Sequence, residues 1–284
     1  MSQKIIDANL VSIVIPCFNA ALYIKKTLDS ILSQNDIDIE IIIVDDGSTD
    51  QSKKIVDTIS NEKIKYYYQT NEGVSTARNL GFSHAKGKYV VFFDADDLMQ
   101  KDYIKELVSF IEKENLDFVS GKVQKFNENG ILSNIYRGVS NNAFEEILLY
   151  NINVVTCPSI YLFKKEFLLR NHLTFNTHLS STADRFFLLQ CALAGKTGIA
   201  IGQSKVYYRI SVNSMSGKLT KQLVLDNENY YRELMQYNFI SSSFKKKVLK
   251  KGYYILFVSF IKLKCFKKAI FYLYKITFLY FSYV

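Results

Sequence analysis

Three carboxylates lie within four positions directly after an apolar stretch. Asp94, Asp96 and Asp97 follow residues 89–93, which have the composition of a buried strand. In open α/β sheets the ligand lies beyond the carboxyl ends of the strands, so these side chains are expected to face it. Since carboxylates repel phosphate, a phosphate-bearing ligand would need a bridging cation, and Mg²⁺ and Mn²⁺ both prefer oxygen ligands. The alternative is that Asp94 and Asp97 only cap the helix that begins near Lys101.

The elements that would position these carboxylates alternate between strand and helix. Apolar runs at 11–15, 39–44, 64–68 and 89–93 predict four strands, and apolar positions with a period near 3.6 predict helices between them. This alternation is typical of a parallel sheet built from right-handed crossovers. Polar residues follow three of the strands, as expected at the ligand-binding edge of such a sheet.

Beyond residue 100 the alternation loosens, and we divide the chain into three regions. Residues 1–100 form one half of an α/β domain, residues 101–218 form its second half, and residues 219–284 form a mostly helical C-terminal region. A length of 284 residues with 48% hydrophobic content suits one large domain or two intimate ones. In the second half, strands are predicted at 118–125, 131–136, 159–163 and 205–209, and helices at 103–114, 143–150 and 184–194.

Cysteine and histidine are too few and too scattered to form a zinc cluster. The chain has four cysteines and three histidines, with no Cys-x-x-Cys pair, so a disulfide framework is not indicated either. A reducing, cytoplasmic compartment is therefore expected. Residues 1–10 have a mixed polar composition that predicts no signal peptide.

Four motifs occur in order along the first hundred residues. They are Val-Ser-Ile-Val-Ile-Pro-Cys-Phe-Asn at 11–19, Val-Asp-Asp-Gly-Ser-Thr-Asp at 44–50, Asn-Glu-Gly-Val-Ser-Thr-Ala-Arg-Asn at 71–79 and Asp-Ala-Asp-Asp at 94–97. Together they resemble the family 2 glycosyltransferases, which are inverting enzymes of the bacterial surface-glycan type. The resemblance is strong to residue 100 and continues more weakly to residue 217. It implies the GT-A fold of nucleotide-diphospho-sugar transferases, a mostly parallel α/β sheet flanked by helices.

The resemblance implies a nucleotide site in the strand-end loops. Pro16 and Asn19 lie in the first loop, which faces the nucleotide in the family. Asp46 matches the acid that hydrogen-bonds the nucleobase, commonly uracil, and Arg78 matches an arginine near the nucleotide. Asp94 would lie near the ribose. Two alternatives stay open, because Asp46 could only cap its own turn and Arg78 could be an exposed helix arginine.

The same resemblance makes Asp96 and Asp97 the metal ligands. Asp96 is expected at the cation and Asp97 beside it, although the sequence does not fix how the three carboxylates divide the work. The expected cofactor is Mn²⁺ or Mg²⁺. Its expected role is to neutralise charge on the departing nucleoside diphosphate, which is the largest electrostatic demand of glycosyl transfer.

Inverting transfer also needs a base that takes the proton of the acceptor hydroxyl. In the family this base is the aspartate of a Glu-Asp pair that leads a helix. Residues 180–187 fall where this pair is expected, with Ala183 in the place of the glutamate and Asp184 in the place of the aspartate. We therefore predict Asp184 as the base. The alternative is an acid at a helix N-terminus that is stabilised by the helix dipole.

Residues 207–216 resemble the family segment that closes over the diphosphate. Arg209, Ser211 and Ser214 are the candidates for diphosphate contact in this segment, and Ser211 stands where many members have a histidine. The loop is predicted to be a mobile lid, and an ordinary surface loop is the alternative.

The net charge of +9 is concentrated at one end of the chain. Residues 244–284 carry ten lysines and no acid, which leaves a net charge of −1 for the rest. This pattern favours binding of an anionic surface over a basic groove for nucleic acid. Lys264, Lys267, Lys268 and Lys275 are predicted on one face of an aromatic-rich helix. We interpret this region as an anchor lying in the plane of a membrane surface, and a helix packed on the catalytic body is the alternative.

Taken together, these features predict an inverting, metal-dependent glycosyltransferase of the hexosyl or N-acetylhexosaminyl class. The expected donor is a nucleotide sugar, in particular a UDP-sugar. The expected acceptor is a glycan hydroxyl in capsule, O-antigen or other surface polysaccharide synthesis, lipid-linked and met at the inner face of the cell membrane.

Two other classes of function stay open. A nucleotidyltransferase would need a glycine-rich, lysine-bearing loop after the first strand, and residues 16–19 offer neither feature. A non-catalytic nucleotide- or glycan-binding module is motivated by Ala183 and Ser211, which depart from the family pattern.

Overall fold

A computed structural model of the chain describes residues 10–139, 143–148, 154–210, 219–236 and 242–281. Two compact units are present. The first contains Met1–Thr177 and Asp184–Ile210, and the second contains His178–Ala183 and Ser211–Val284.

The first half of the chain alternates between strand and helix, as predicted. Its elements are β1 (Val11–Cys17), α1 (Ile24–Leu32), β2 (Ile39–Asp46), α2 (Ser52–Asp57), β3 (Ile64–Gln69), α3 (Val74–His84) and β4 (Tyr89–Phe92). β1 pairs in parallel with both β2 and β4, and β2 pairs in parallel with β3. β1, β2 and β4 are buried along their whole length, which explains why their sequences are nearly continuous apolar runs.

The second half completes the large sheet and adds a smaller one. Its elements are β5 (Leu98–Met99), α4 (Tyr103–Lys113), β6 (Phe118–Ser120), β7 (Lys122–Asn127), β8 (Gly130–Arg137), α5 (Ala143–Leu148), β9 (Tyr161–Lys164), α6 (Lys165–Arg170), α7 (Ala183–Ala194), β10 (Thr197–Ile199) and β11 (Lys205–Arg209). The seven-stranded sheet has the order β10-β6-β9-β4-β1-β2-β3, and the four-stranded sheet has the order β5-β11-β7-β8. Among the described strands of the large sheet, β9 runs antiparallel to its neighbours β4 and β6, and the other pairs are parallel.

Two predicted strands and the predicted position of Pro16 differ from the structure. The strand predicted at 118–125 is divided at Gly121 into β6 and β7, which belong to different sheets. The ring of Tyr103 occupies the space that a Cβ at Gly121 would take, so a larger residue would not fit at this point. The strand predicted at 159–163 begins instead as the short 3-10 helix Pro158–Ile160. Pro16 lies inside β1, opposite Val44, and not in the loop, because proline lacks only the donor N–H and can keep an extended backbone.

An aromatic cluster packs between β4 and α7 in the first unit. The ring of Phe92 lies 4.9 Å from that of Phe175 and 5.6 Å from that of Phe187, measured between centroids. The rings of Phe175 and Phe187 stack at 4.1 Å. Phe92 lies two residues before Asp94, and Phe187 lies three residues after Asp184, so the cluster fixes the elements that carry both acids.

The second unit consists of α8 (Lys221–Met235), α9 (Ser242–Lys262), α10 (Phe266–Phe281) and the short segment 178–183. Asp226 of α8 is buried and accepts hydrogen bonds from the backbone N–H groups of Ser180 and Thr182 at 2.8 Å each. It also accepts from the hydroxyls of Ser181 at 2.7 Å and Thr182 at 2.9 Å. One carboxylate therefore holds the three residues that lead into α7.

The prediction that four lysines share one helical face is wrong. Lys264 lies in the turn between α9 and α10 with a φ of 57°, a left-handed conformation that ends α9. Lys268 is paired with Glu228 at 2.7 Å, and Lys275 lies over the rings of Tyr253 and Phe271. Among the described residues, no helix combines the length and apolar character that crossing a membrane requires.

Replacing Asp226 by Ala is expected to lower the free energy of unfolding by about 2 kcal/mol or more, because four donors around a buried site lose their acceptor. Denaturant unfolding of the full chain measures this change. Gln222→Ala, an exposed substitution on the same helix, is the matched control and should change stability little. Equal effects of the two substitutions would contradict the anchoring role.

Candidate functional site

A buried arginine joins two of the predicted site acids. Arg78 of α3 donates from Nη2 to Oδ1 of Asp94 at 2.7 Å and from Nη1 to Oδ1 of Asp184 at 2.6 Å. Only 4% of the Arg78 side chain is exposed, and its guanidinium lies 5.0 Å from the centre of the Phe175 ring. Arg78 is therefore not an exposed helix arginine. The structure brings together three residues that the sequence places far apart.

The electrostatics of this bridge follow from its burial. Burial alone lowers the pKa of the Arg78 guanidinium, but the charges of Asp184 and Asp94 outweigh that effect and raise the pKa. Burial raises the pKa of Asp184 from 3.8 to about 6, and the charge of Asp94 adds to this while Arg78 opposes it. Asp184 keeps 29% of its side chain exposed, so the carboxylate can still be reached from solvent.

The remaining acids of the strand-end cluster have different surroundings. Asp97 is fully buried, and its Oδ1 accepts from the backbone N–H of Arg209 at 2.9 Å. Asp96 is partly exposed, and its backbone carbonyl accepts from Nε of Arg209 at 2.9 Å. Burial and the charge of Asp94 raise the pKa of Asp96 to about 6, against the opposing charge of Arg209. Burial and the charges of both neighbouring acids raise the pKa of Asp97 well above its ordinary value.

These carboxylates fit a divalent cation. Ligand atoms of Asp94, Asp97 and Cys157 all lie within 4.8 Å of one another. Sγ of Cys157 is 3.9 Å from Oδ2 of Asp94 and 3.8 Å from Oδ2 of Asp97. Carboxylate oxygens suit Mg²⁺ or Mn²⁺, and besides burial the charge of Asp94 raises the pKa values of Asp96 and Asp97, a repulsion that a cation would relieve.

The loops after β1 and β2 carry a second group of predicted residues. Asn19 accepts from the backbone N–H of Thr49 at 2.8 Å, which ties the two loops together. Asp46 accepts from Nε2 of Gln69 at 2.8 Å and from the backbone of Glu72 and Gly73 at 2.8 and 2.9 Å. Asp46 thus caps the turn after β3 and not its own turn. Among the described residues, no hydrogen bond joins this group to the Asp94 cluster.

Arg209 is held by aromatic rings on two sides. Its guanidinium lies 4.4 Å from the ring centres of both Tyr23 and Phe126. Together with its bonds to the 96–97 turn, this packing leaves the side chain only 6% exposed. The other two lid candidates, Ser211 and Ser214, lie outside the described residues.

Sequence reasoning missed residues that support the cluster from behind. Thr27 of α1 donates to the backbone carbonyls of Ala95 and Asp97 at 2.8 and 2.9 Å. Ser159 accepts from the backbone N–H of Asp94 at 3.0 Å. A polar residue on the apolar face of a predicted helix is the signal that could have identified Thr27. Ser159 and Cys157 approach the cluster only through tertiary folding and carry no such signal.

Comparisons with known proteins agree with this architecture. Residues 12–214 match the model of the family described as "Glycosyl transferase family 2". An uncharacterized glycosyltransferase of Rickettsia felis is 36% identical over 161 residues, which cover 56% of this chain and 26% of that protein. The glycosyltransferase GlyG of Streptococcus pneumoniae is 30% identical over 201 residues, covering 64% of this chain and 66% of GlyG. The chain thus spans about a quarter of the first curated relatives that it matches.

A solved structure has the same fold. The crystal structure of Staphylococcus aureus TarS 1-349 in complex with UDP-GlcNAc superposes with a TM-score of 0.68 at 22% identity, covering 86% of this chain and 71% of that one. The superposed part, 86% of the 284 residues, is longer than residues 1–218, so the match extends into the helical C-terminal region. The chain therefore belongs to glycosyl transferase family 2, and its fold is the GT-A fold expected from the sequence.

Proposed function

We propose that this chain transfers a sugar from a nucleotide sugar to the hydroxyl of a glycan acceptor, with inversion at the anomeric carbon. The observation that carries the proposal is the Arg78 bridge between Asp94 and Asp184. It supports placing the candidate base beside the strand-end acids, where the donor would be bound. Membership of glycosyl transferase family 2 supports the same reaction.

In this proposal the donor is a UDP-sugar. TarS of Staphylococcus aureus, named as a poly(ribitol-phosphate) β-N-acetylglucosaminyltransferase, has been crystallised with UDP and with UDP-GlcNAc, and it is 27% identical over 203 residues. Asp46 would accept from the ring N–H of uracil, since its Oδ2 has one protein donor. Pro16 and Asn19 would contact the nucleotide from the first strand and loop, and Asp94 would lie near the ribose.

Asp184 would act as the base. Arg78 holds one of its carboxylate oxygens, which orients the other oxygen to take the proton from the acceptor hydroxyl. Ala183 in front of it is buried, so the place of the family glutamate contributes no polar group toward the acceptor. Binding and orientation of the acceptor would then fall to other residues of this unit.

A divalent cation, Mn²⁺ or Mg²⁺, would be held by Asp96 with Asp97 beside it. Among the described residues, no side chain donates a hydrogen bond to the carboxylate of Asp96, and this residue is partly exposed, so its carboxylate could take a ligand. When bound, the cation would neutralise charge on the leaving diphosphate. Arg209 would lie next to that charge, with Ser211 and Ser214 as further candidates in the following segment.

The acceptor would be a surface glycan, lipid-linked and met at the inner face of the cell membrane. The ten lysines of residues 244–284 support an anionic surface near the C-terminal region. The acceptor named for TarS, poly(ribitol-phosphate), is a polymer that carries hydroxyl groups, which supports a polymeric hydroxyl acceptor but not the particular acceptor.

UDP together with Mn²⁺ is expected to raise the midpoint of thermal unfolding by roughly 5 °C at a hundredfold excess over Kd, because it binds only the folded state. ADP and GDP should give smaller shifts, and Asp96→Ala should remove the dependence on Mn²⁺. The measurement is a thermal scan of the full chain with each nucleotide, with and without the metal. No shift with any nucleotide would contradict the proposed donor and favour a module that binds another ligand.

Replacing Asp184 by Asn is expected to lower kcat by roughly 10²–10⁴, since general base catalysis contributes about that much. The thermal shift with UDP and Mn²⁺ should persist, because the nucleotide site is unchanged. Asp29→Asn, at an exposed position paired with Lys25, is the matched control. An unchanged transfer rate in Asp184→Asn would overturn the assignment of the base.

The pH dependence of kcat/KM should show an acidic limb near pH 6, because the base must be ionised and burial raises the pKa of Asp184 to about 6. Stability should change in the opposite direction. The folded chain holds this proton more tightly than the unfolded chain, so the contribution of Asp184 is present at pH 3.8 and is lost as the pH rises to about 6. A residual rate in Asp184→Asn that kept the same limb would assign it to another group.

A further inference from the structure

We propose that the outer face of α10, together with exposed lysines at the turn before it, is a binding surface for an anionic lipid bilayer. This surface goes beyond the proposed glycosyl transfer, since none of its residues is among those proposed to bind the nucleotide or the metal or to act as the base. Three observations support a lipid bilayer as the ligand. They are the exposed apolar side chains of α10, the packing of its opposite face on α8 and α9, and the lysines at its N-terminal end.

The outer face of α10 is apolar and exposed. Six large side chains on this helix have between 45% and 66% of their surface exposed, namely Phe266, Ile270, Phe271, Leu273, Tyr274 and Phe278. At 100° per residue they fall within an arc of about 160°, which is the wide apolar stripe of an amphipathic helix. A helix of 16 residues is about 24 Å long. Such a contiguous patch is larger than isolated exposed apolar residues on an ordinary surface.

The opposite arc of α10 is covered by its own unit. Ala269 and Tyr272 are buried, and the Tyr272 ring stacks on that of Phe260 of α9 at 5.8 Å. The Tyr272 hydroxyl donates to Glu228 of α8 at 2.6 Å, and Lys268 is paired with the same carboxylate. These contacts fix the rotation of α10 about its axis. The apolar side chains on the outer face of α10 are therefore exposed because the opposite face of the helix is held by α8 and α9.

Unpaired positive charge lies at the N-terminal end of this face. Lys262, Lys264 and Lys267 are exposed, and none of them forms an ion pair with a described residue. Residues 244–284 contain no acid that could compensate them. Lysines flanking an apolar stripe can reach lipid phosphates while phenylalanine, leucine and isoleucine side chains enter the acyl boundary.

Charge favours a lipid surface over a second copy of this chain. In a symmetric dimer through this face, α10 of the second copy would offer these lysines no acid, so their charge would stay uncompensated at the interface. An anionic bilayer instead supplies phosphates in excess over the whole length of the helix. Tyrosine and phenylalanine side chains also suit the boundary between headgroups and acyl chains.

The test is co-sedimentation of the full chain with vesicles of phosphatidylcholine alone and of phosphatidylcholine mixed with phosphatidylglycerol. Binding should be stronger to the anionic vesicles and weaken with salt. Ile270→Ser combined with Phe278→Ser should reduce binding at least about tenfold on anionic vesicles. Lys262→Gln, Lys264→Gln and Lys267→Gln together should reduce it roughly a hundredfold, with little change on neutral vesicles.

Matched controls lie on exposed positions of the first unit. Lys26→Gln, Lys54→Gln and Lys63→Gln remove the same charge, and Ile201→Ser removes an apolar side chain that is 81% exposed. These variants should bind vesicles like the parent chain. Equal losses in the controls and in the α10 variants, or the absence of preference for anionic vesicles, would overturn the proposal.

Two further measurements separate lipid binding from dimerisation and from nucleotide binding. Sedimentation equilibrium that showed a dimer, abolished by Ile270→Ser with Phe278→Ser, would assign the face to a second copy and overturn the lipid proposal. Binding of UDP with Mn²⁺ in the absence of vesicles should be unchanged in all α10 variants. A failure of this proposal is thereby separated from a failure of the proposed transfer reaction.

Discussion

The candidate site depends on one buried cation shared by two carboxylates. Arg78 is almost fully enclosed and contacts Asp94 and Asp184 at 2.7 and 2.6 Å. A charge can be buried only where partners compensate its lost hydration, and removing one partner of such a group leaves an uncompensated charge in the interior. The two ion pairs of Arg78 therefore hold together the three chain segments that carry these residues. The same contacts set the geometry of the site and contribute to the stability of the first unit.

The aromatic cluster behind the bridge makes this constraint rigid. Phe92 precedes Asp94 on the same strand end, Phe187 follows Asp184 by one helical turn, and Phe175 lies against both rings and the Arg78 guanidinium. Ring contacts in a close-packed interior resist displacement, because a small shift costs contacts on several sides. Each acid is thus positioned by an apolar neighbour on its own element and by the same arginine in front.

Features set by neighbouring residues could be predicted from the sequence, whereas features set by contacts between distant residues could not. The strands β1, β2 and β4 were predicted because strands buried on both faces have continuous apolar sequences. The division of one predicted strand at Gly121 was not predicted. The ring that lies against Gly121 belongs to Tyr103 of α4, and such a contact between elements has no local sequence signal. The resemblance placed Arg78 near the nucleotide, but its contact with Asp184 spans 106 positions and has no local pattern. Lys264 was assigned to a helix because a left-handed turn at lysine has no strong sequence signal.

The negative charge at the end of β4 is the physical reason for including a cation in the proposed reaction. Asp94, Asp96 and Asp97 bring three negative charges, and the cations beside them are already engaged, Arg78 by two carboxylates and Arg209 by the 96–97 turn and two rings. A diphosphate entering this site would add charge of the same sign, and Arg78 cannot turn toward it without leaving Asp94 or Asp184 unpaired. In the proposed reaction, compensation would therefore come from a divalent cation together with Arg209, because the charge of Arg78 is already shared by two carboxylates.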